Sequence, residues 1–214
     1  PLPTKGWEDA CDDELMLPVP DDYSFAVNLN YLARASNECL FRVKEGRVFK
    51  ALALGGQKPA VVVEIQAEPG GAALRMRFPG HTAPPDTRER AAIVQYVRDW
   101  LDLDRDMQPF YELASGDELL RQAGQAFYGL RGVGIPGLFE ALSWGIIGQQ
   151  INLTYAYTLK RRLVEHFGRR VECEGEDYWL FPTPQNLANL NVADLDVLRM
   201  TAKKSEYLLG VAKL

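Results

Sequence analysis

Two adjacent amides, Gln149 and Gln150, are followed by Ile151 and Asn152 and flanked by two apolar-rich stretches. Residues 137–147 and 153–167 read as amphipathic helices. Between them Gly148-Gln149-Gln150-Ile151-Asn152 forms a short polar elbow, which puts side chains that both donate and accept hydrogen bonds at a bend where a ligand can approach. Other chemistry is scarce. Ser-His-Asp and Cys-His arrangements cannot be placed with His81 and His166 alone, and neither histidine has a ligand cluster nearby, so no metal or cofactor is expected. There is no phosphate-binding loop of the Walker type, and Gly132-Val133-Gly134 follows no predicted strand, which rejects a dinucleotide loop. The acidic pairs Asp12-Asp13, Asp21-Asp22 and Asp104/Asp106 fall at element ends and read as caps and solvated termini rather than acid–base machinery.

The elements that must position these residues follow from the rest of the chain. At 214 residues it suits one large or two small domains, and its 47% hydrophobic and 25% charged content is that of an ordinary globular protein. No apolar run reaches the ~18–20 residues of a membrane span, so no membrane partner is expected. No secretory signal is visible, although Pro1 is not an initiator. Three widely spaced cysteines, Cys11, Cys39 and Cys173, argue against a disulfide framework and for a reducing, cytoplasmic setting. The net charge of −5 counts mildly against nucleic acid. Its distribution matters more: between residues 137 and 170, Lys160, Arg161, Arg162, Arg169 and Arg170 face only Glu140 and Glu165, leaving +3 in an acidic chain. A solvated helix face is the plain alternative for each of these.

The fold class expected is α+β: an N-terminal antiparallel sheet with helices over residues 1–105, followed by an all-helical domain over 106–214. Asp21-Asp22 starts a helix carrying Phe25, Ala26, Leu29, Leu32 and Ala33 on one face; alternation at Phe25, Val27, Leu29 and Tyr31 makes a strand the competing reading. Residues 39–43 and 48–54 flank a turn at Glu45-Gly46, the second run ending at Gly55-Gly56. Residues 60–66 and 73–78 flank Pro69-Gly70-Gly71, a second hairpin. Pro84-Pro85 ends the sheet region, and a helix from Asp86 has Ala91, Val94, Val97 and Leu101 as its inner stripe. Beyond Asp106 the pattern is helical almost throughout, with 117–127 one helix and 129–134 a glycine-rich break. Pro136 opens the helix leading to the elbow, Asn152 caps the next, and Gly168 fits a left-handed stop. Phe181-Pro182-Thr183-Pro184 is a rigid connector, and 193–198 and 203–214 are the last helical pieces.

Leu138-Phe139-Glu140 through Gly148-Gln149-Gln150-Ile151 resembles the start of the helical core in the helix-hairpin-helix DNA glycosylase superfamily. Tyr178-Trp179-Leu180-Phe181-Pro182-Thr183-Pro184 followed by Leu187 is similar to the connector of its alkylated-base branch, the 3-methyladenine DNA glycosylase II type. Met200, Lys203, Lys204 and Glu206 match that branch's next helix, and Gly129-Leu130-Arg131 and the sheet-bearing half also fit. The resemblance covers most of the chain, most strongly from residue 130 onward. It implies base-excision repair: an alkylated purine is flipped out of duplex DNA and its N-glycosidic bond hydrolysed. Flipping costs a few kcal/mol of stacking and pairing, offset when a side chain fills the vacated space from the minor groove. On this resemblance Gln150 is the wedge, Gln149 lines the pocket or touches the opposite strand, and Ile151 and Asn152 complete the DNA-facing set. Many bacterial relatives carry Leu where this chain has Gln150; the amide makes a poorer apolar wedge but can hydrogen-bond the orphaned base. On the same resemblance Tyr31, Trp144, Tyr155 and Tyr157 are the candidate aromatics to face a cationic purine, with Tyr31, Trp144 and Tyr155 the base-pocket candidates; Trp144 and Tyr157 lie among apolar neighbours, where a core role competes.

The resemblance also implies a hairpin with a Gly-x-Gly turn that holds a DNA phosphate, then a catalytic aspartate. No Gly-x-Gly follows residue 200 and no aspartate follows Asp196. The catalytic carboxylate is therefore expected beyond this chain, in a C-terminal remainder or a second polypeptide, and these residues alone are expected not to excise bases. The alternatives are a non-catalytic DNA-binding module that keeps the elbow, and a helical protein-interaction domain.

Overall fold

The computed structural model describes residues 6–11, 13–55, 58–84 and 86–214, with His81 described by its backbone alone. The expectations for Pro1, Asp12, Gly56 and Pro85 lie outside the described residues, as does the side chain of His81.

Among the described residues eight strands and eight α-helices run in the order β1 (Glu8–Cys11), β2 (Glu14–Pro18), α1 (Phe25–Ala33), β3 (Phe41–Lys44), β4 (Arg47–Leu52), β5 (Val61–Ala67), β6 (Ala73–Arg77), α2 (Thr87–Leu101), α3 (Gln108–Ser115), α4 (Glu118–Ala126), α5 (Leu138–Gly148), α6 (Leu153–Phe167), β7 (Arg169–Cys173), β8 (Glu176–Leu180), α7 (Pro184–Ala188) and α8 (Ala202–Ala212). Two 3-10 helices, Pro79–His81 and Val192–Leu198, complete the described elements. The first six strands form an antiparallel sheet in the order β1-β2-β6-β5-β4-β3, while β7 and β8 form a separate hairpin. No helix among the described residues is long and apolar enough to cross a membrane.

By packing, the described residues fall into two compact units interleaved in sequence. One holds the residues up to Arg34, with Val43–Phe49 and Val63–Gly134; the other holds Ala35–Arg42, Lys50–Val62 and Ile135–Leu214. A single division near residue 105 follows element type, whereas these units follow contacts.

In the first unit alternation sets the sheet's inner face. Leu15 and Leu17 of β2 and Leu74 and Met76 of β6 are buried while their neighbours are half-buried or exposed. Glu64, buried on β5, is neutralised by Arg47 (3.2 Å) and Arg77 (3.6 Å). Asp86 caps α2 through the Arg88 amide, and the buried stripe is Ile93, Val94, Val97, Trp100 and Leu101, with Ala91 only half-buried. The helix predicted from Asp21-Asp22 starts later: Ser24 is the cap, and Asp22 instead pairs with the buried Arg131 guanidinium. Asn28 ties that region together, donating to the carbonyls of Ser24 and Gly129 (both 2.8 Å) and accepting the Arg131 amide (2.9 Å).

The second unit holds the elbow. Ile147, Leu159, Leu163, Leu187, Leu195, Leu198 and Leu208 are its fully buried centre, with Phe139, Trp144, Ile151 and Phe181 packed around it. α5 packs on both α6 and α8. Here the all-helical expectation needs correction. Residues 169–180 form the β7–β8 hairpin, turning at Glu174 and Gly175, both with positive φ. Half of its strand residues are charged, and its inward side chains Val171, Cys173, Tyr178 and Leu180 pack on Ala51 and Val62. The helix before the elbow starts at Leu138 with Gly137 as cap, so Pro136 stands outside it. Gly168 does end α6, but with φ −80° rather than in the left-handed region. Glycine is required there by close approach: a Cβ would collide with the carbonyl oxygens of Val164 and Leu180.

Candidate nucleic-acid interface

The elbow follows from what ends one helix and starts the next. α5 stops at Gly148, and Gln149 leaves it in extended conformation (φ −61°, ψ 129°) while its amide still reaches the Ile146 carbonyl at 3.4 Å. Gln150 then takes φ 56°, the left-handed region that a side chain with a Cβ enters at a cost of about 1 kcal/mol. Ile151 drops back half-buried onto the core. Asn152 caps α6, its Oδ1 accepting the Tyr155 amide at 2.8 Å and its carbonyl the Ala156 amide at 3.0 Å. With Ile151 anchored inward, the reversal at Gln150 leaves Gln149 and Gln150 exposed side by side.

The scaffold behind the bend is cross-tied. The Lys204 ammonium donates to the Ile147 carbonyl at 2.7 Å, in the last turn of α5. Burial lowers the Lys204 pKa below the ordinary lysine value. On the other side, Tyr155 Oη donates to the Arg199 carbonyl (3.0 Å) and Arg162 to the Leu198 carbonyl (3.1 Å), fixing α6 to the end of the second 3-10 helix. The sequence pattern singled out none of these ties as such. Lys204 was detectable as a cation in the first turn of a helix, where the dipole disfavours it.

The predicted aromatic candidates separate. Tyr155 is exposed on the first turn of α6, three residues beyond the Asn152 cap. Trp144 is half-buried, its ring 5.0 Å from that of Tyr157, with the Lys160 ammonium 5.2 Å from its centroid. Tyr31 is exposed on α1 of the first unit, with the Arg34 guanidinium 3.4 Å over its ring.

Most of the basic cluster predicted on and after α6 is engaged within the protein. Lys160 is buried against Glu38 at 2.9 Å. Arg161 donates to the Asn37 carbonyl at 3.1 Å and pairs with Glu165 at 3.5 Å. Arg170 pairs with Asp177 at 3.2 Å. Among the described residues no group of three or more His, Cys, Asp or Glu side chains could hold a metal ion. What the elbow offers is thus neutral and shape-defined: two exposed amides on a braced bend, able to enter a groove and exchange hydrogen bonds there.

A sheet-bearing N-terminal region followed by a helical unit with such an elbow defines a class. Residues 144–214 match the HhH-GPD superfamily of base excision DNA repair proteins, and residues 14–140 match the AlkA N-terminal domain. The chain belongs to the AlkA-type branch of that helix-hairpin-helix superfamily. It is 41% identical over 203 residues to the DNA-3-methyladenine glycosylase of Bacillus subtilis (strain 168), covering 95% of this chain and 66% of that protein. It is 33% identical over 110 residues to DNA-3-methyladenine glycosylase 2 of Escherichia coli (strain K12), covering 50% of this chain and 37% of the relative. Its fold is like that of a 3-methyladenine DNA-glycosylase from Archaeoglobus fulgidus, with TM-score 0.76 at 23% identity over 93% of this chain and 66% of the other. The chain thus spans just under two thirds of the length of the longest-matching of these relatives.

Proposed function

We propose that these residues form the duplex-opening part of a base-excision glycosylase that removes alkylated purines of the 3-methyladenine type. The observation that carries this reading is the elbow itself: Gln150 exposed in left-handed backbone beside an exposed Gln149, with Ile151 anchored in the core behind them. The names of the relatives support the substrate class. Gln150 enters the space left by the flipped nucleotide and hydrogen-bonds the orphaned base. Gln149 lies against the opposite strand or the pocket mouth, and Asn152 acts through the helix cap that sets the bend. Tyr155, exposed on the first turn of α6, offers an aromatic face for a cationic base, with Trp144 a second candidate in the same unit and Tyr31 a separate candidate on α1. Hydrolysis also needs a carboxylate to stabilise an oxocarbenium-like sugar or to activate water. We assign that group to residues outside these 214, in a further part of the polypeptide or a second one. In the helical unit Glu38 is paired with Lys160, Glu165 with Arg161, Glu206 with Lys203, and Asp194 closes a capping box.

Equilibrium titration of this chain with two duplexes, one carrying a stabilised alkylpurine or abasic analogue and one undamaged, tests the reading. Tighter binding of the lesion duplex by about tenfold is expected, since a damaged pair costs less to open. Equal affinity for both, or none for either, removes it.

A further inference from the structure

Lys204 is placed where its own helix disfavours it. It is the third residue of α8, in the first turn, where the helix dipole opposes a cation. It is half-buried, and among the described residues no carboxylate pairs with it; its neighbour Lys203 takes Glu206 instead (3.2 Å). Its hydrogen-bond acceptor is the Ile147 carbonyl at 2.7 Å. That oxygen is one of the last four of α5, which have no partner within their own helix and carry the negative end of its dipole. The bond from the Gln149 amide to the Ile146 carbonyl, by comparison, is stretched to 3.4 Å. The Lys204 bond is the shorter of these two and is charge-assisted, and it holds α5 two residues before Gln149.

We propose that Lys204 is the positioning residue of the elbow: by holding the Ile147 carbonyl it ends α5 where it does and keeps Gln149 and Gln150 turned outward for DNA. Its interaction is with backbone alone, so it acts through the wedge residue and not on the substrate. The DNA half of the proposal rests on the function proposed above; the hold on the bend does not. A donor is needed because the site is partly desolvated: a side chain without one would leave the carbonyl oxygen unsatisfied against the core.

The test uses the whole 214-residue chain with Lys204→Met, which keeps the length of the side chain, and Lys204→Arg, which keeps the charge and the donor. Amide hydrogen exchange is followed at Gln149 and, as an internal control, at Leu208 and Leu209 within α8. In Lys204→Met, exchange at Gln149 is expected to speed up about tenfold while the α8 amides hold, and affinity for lesion duplex to fall by a similar factor. Lys204→Arg is expected to restore most of both. Unchanged exchange at Gln149 in Lys204→Met overturns the proposal, as does a uniform acceleration across α8 that arginine does not rescue. Faster exchange at Gln149, combined with lesion-duplex affinity that Gln150→Ala leaves untouched, removes the DNA role and keeps Lys204 as the brace of the bend.

Discussion

Gln150 occupies a backbone region that glycine enters freely and glutamine does not, so the chain keeps a side chain there at a cost to its own stability. Replacing it separates that cost from its use. Gln150→Gly is expected to be more stable than Gln150→Ala by about 1 kcal/mol in urea unfolding, because only glycine relieves the positive φ. Equal stabilities would mean the bend relaxes when the amide is lost. A second residue-scale prediction concerns the buried Glu38–Lys160 pair. Burial pushes the Glu38 carboxyl up, but the Lys160 ammonium and the amides of Leu40 and Cys39 outweigh it and hold the pKa below the ordinary 4.5. A carboxyl whose folded pKa is depressed stabilises the fold above its unfolded pKa, and that contribution disappears as pH falls through the lowered value. Melting temperature is therefore expected to drop as pH falls below about 4.5, with a smaller drop in Glu38→Gln. At neutral pH the same variant leaves Lys160 buried without a counter-charge and is expected to lose about 3 kcal/mol. Identical acid profiles for parent and variant would place the acid sensitivity elsewhere.

The junction of α6 with the β7–β8 hairpin is made at one residue. Gly168 donates its amide to the Val164 carbonyl at 2.8 Å, and the Leu180 strand end passes so close that no Cβ fits. Gly168→Ala is expected to cost about 2 kcal/mol or more, since two backbone carbonyls rather than a flexible side chain must move. Chemical denaturation against the parent checks this, and a change under ~0.5 kcal/mol would show the hairpin to be loosely held. That hairpin is also where sequence reading and structure part. Glu45-Gly46 and Glu174-Gly175 are the same kind of turn, with φ of 50° and 76° in the first and 51° and 77° in the second. The first is legible because strands with alternating apolar residues flank it. The second is hidden because Arg169-Arg170-Val171-Glu172-Cys173 and Glu176-Asp177-Tyr178-Trp179-Leu180 carry five charged side chains among ten residues and turn only two side chains of each strand inward, Val171 and Cys173 on one and Tyr178 and Leu180 on the other. Local signals placed the cap at Asn152 and the helix after Asp86 correctly, since each needs only a side-chain oxygen near two or three free amides. They misplaced the start of α1, because Asp22 is drawn to Arg131 across more than a hundred residues of sequence. No local pattern carries that pairing. The elbow's exposure was legible in its composition and flanks; the Lys204 brace depended on tertiary contact.

At the scale of the whole molecule the charge balance constrains how DNA is held. The chain carries −5 overall, and Lys160, Arg161, Arg162 and Arg170 donate to protein groups rather than standing free for phosphates. Binding by these residues should therefore depend weakly on salt, with log K against log salt sloping by roughly −2 to −3, as for two or three phosphate contacts. A slope near −6 or steeper would point to a basic surface that the α6 cluster does not supply. With electrostatics this modest, the elbow must account for the selectivity, and the decisive measurement compares what Gln150 does for two DNA partners. One is a lesion-bearing duplex that has yet to be opened; the other presents the same lesion already extruded. Gln150→Ala should weaken binding to the first by about tenfold or more, through loss of the side chain that fills the vacated stack, and the second by much less. Equal losses on both would contradict the claim that this bend props the duplex open.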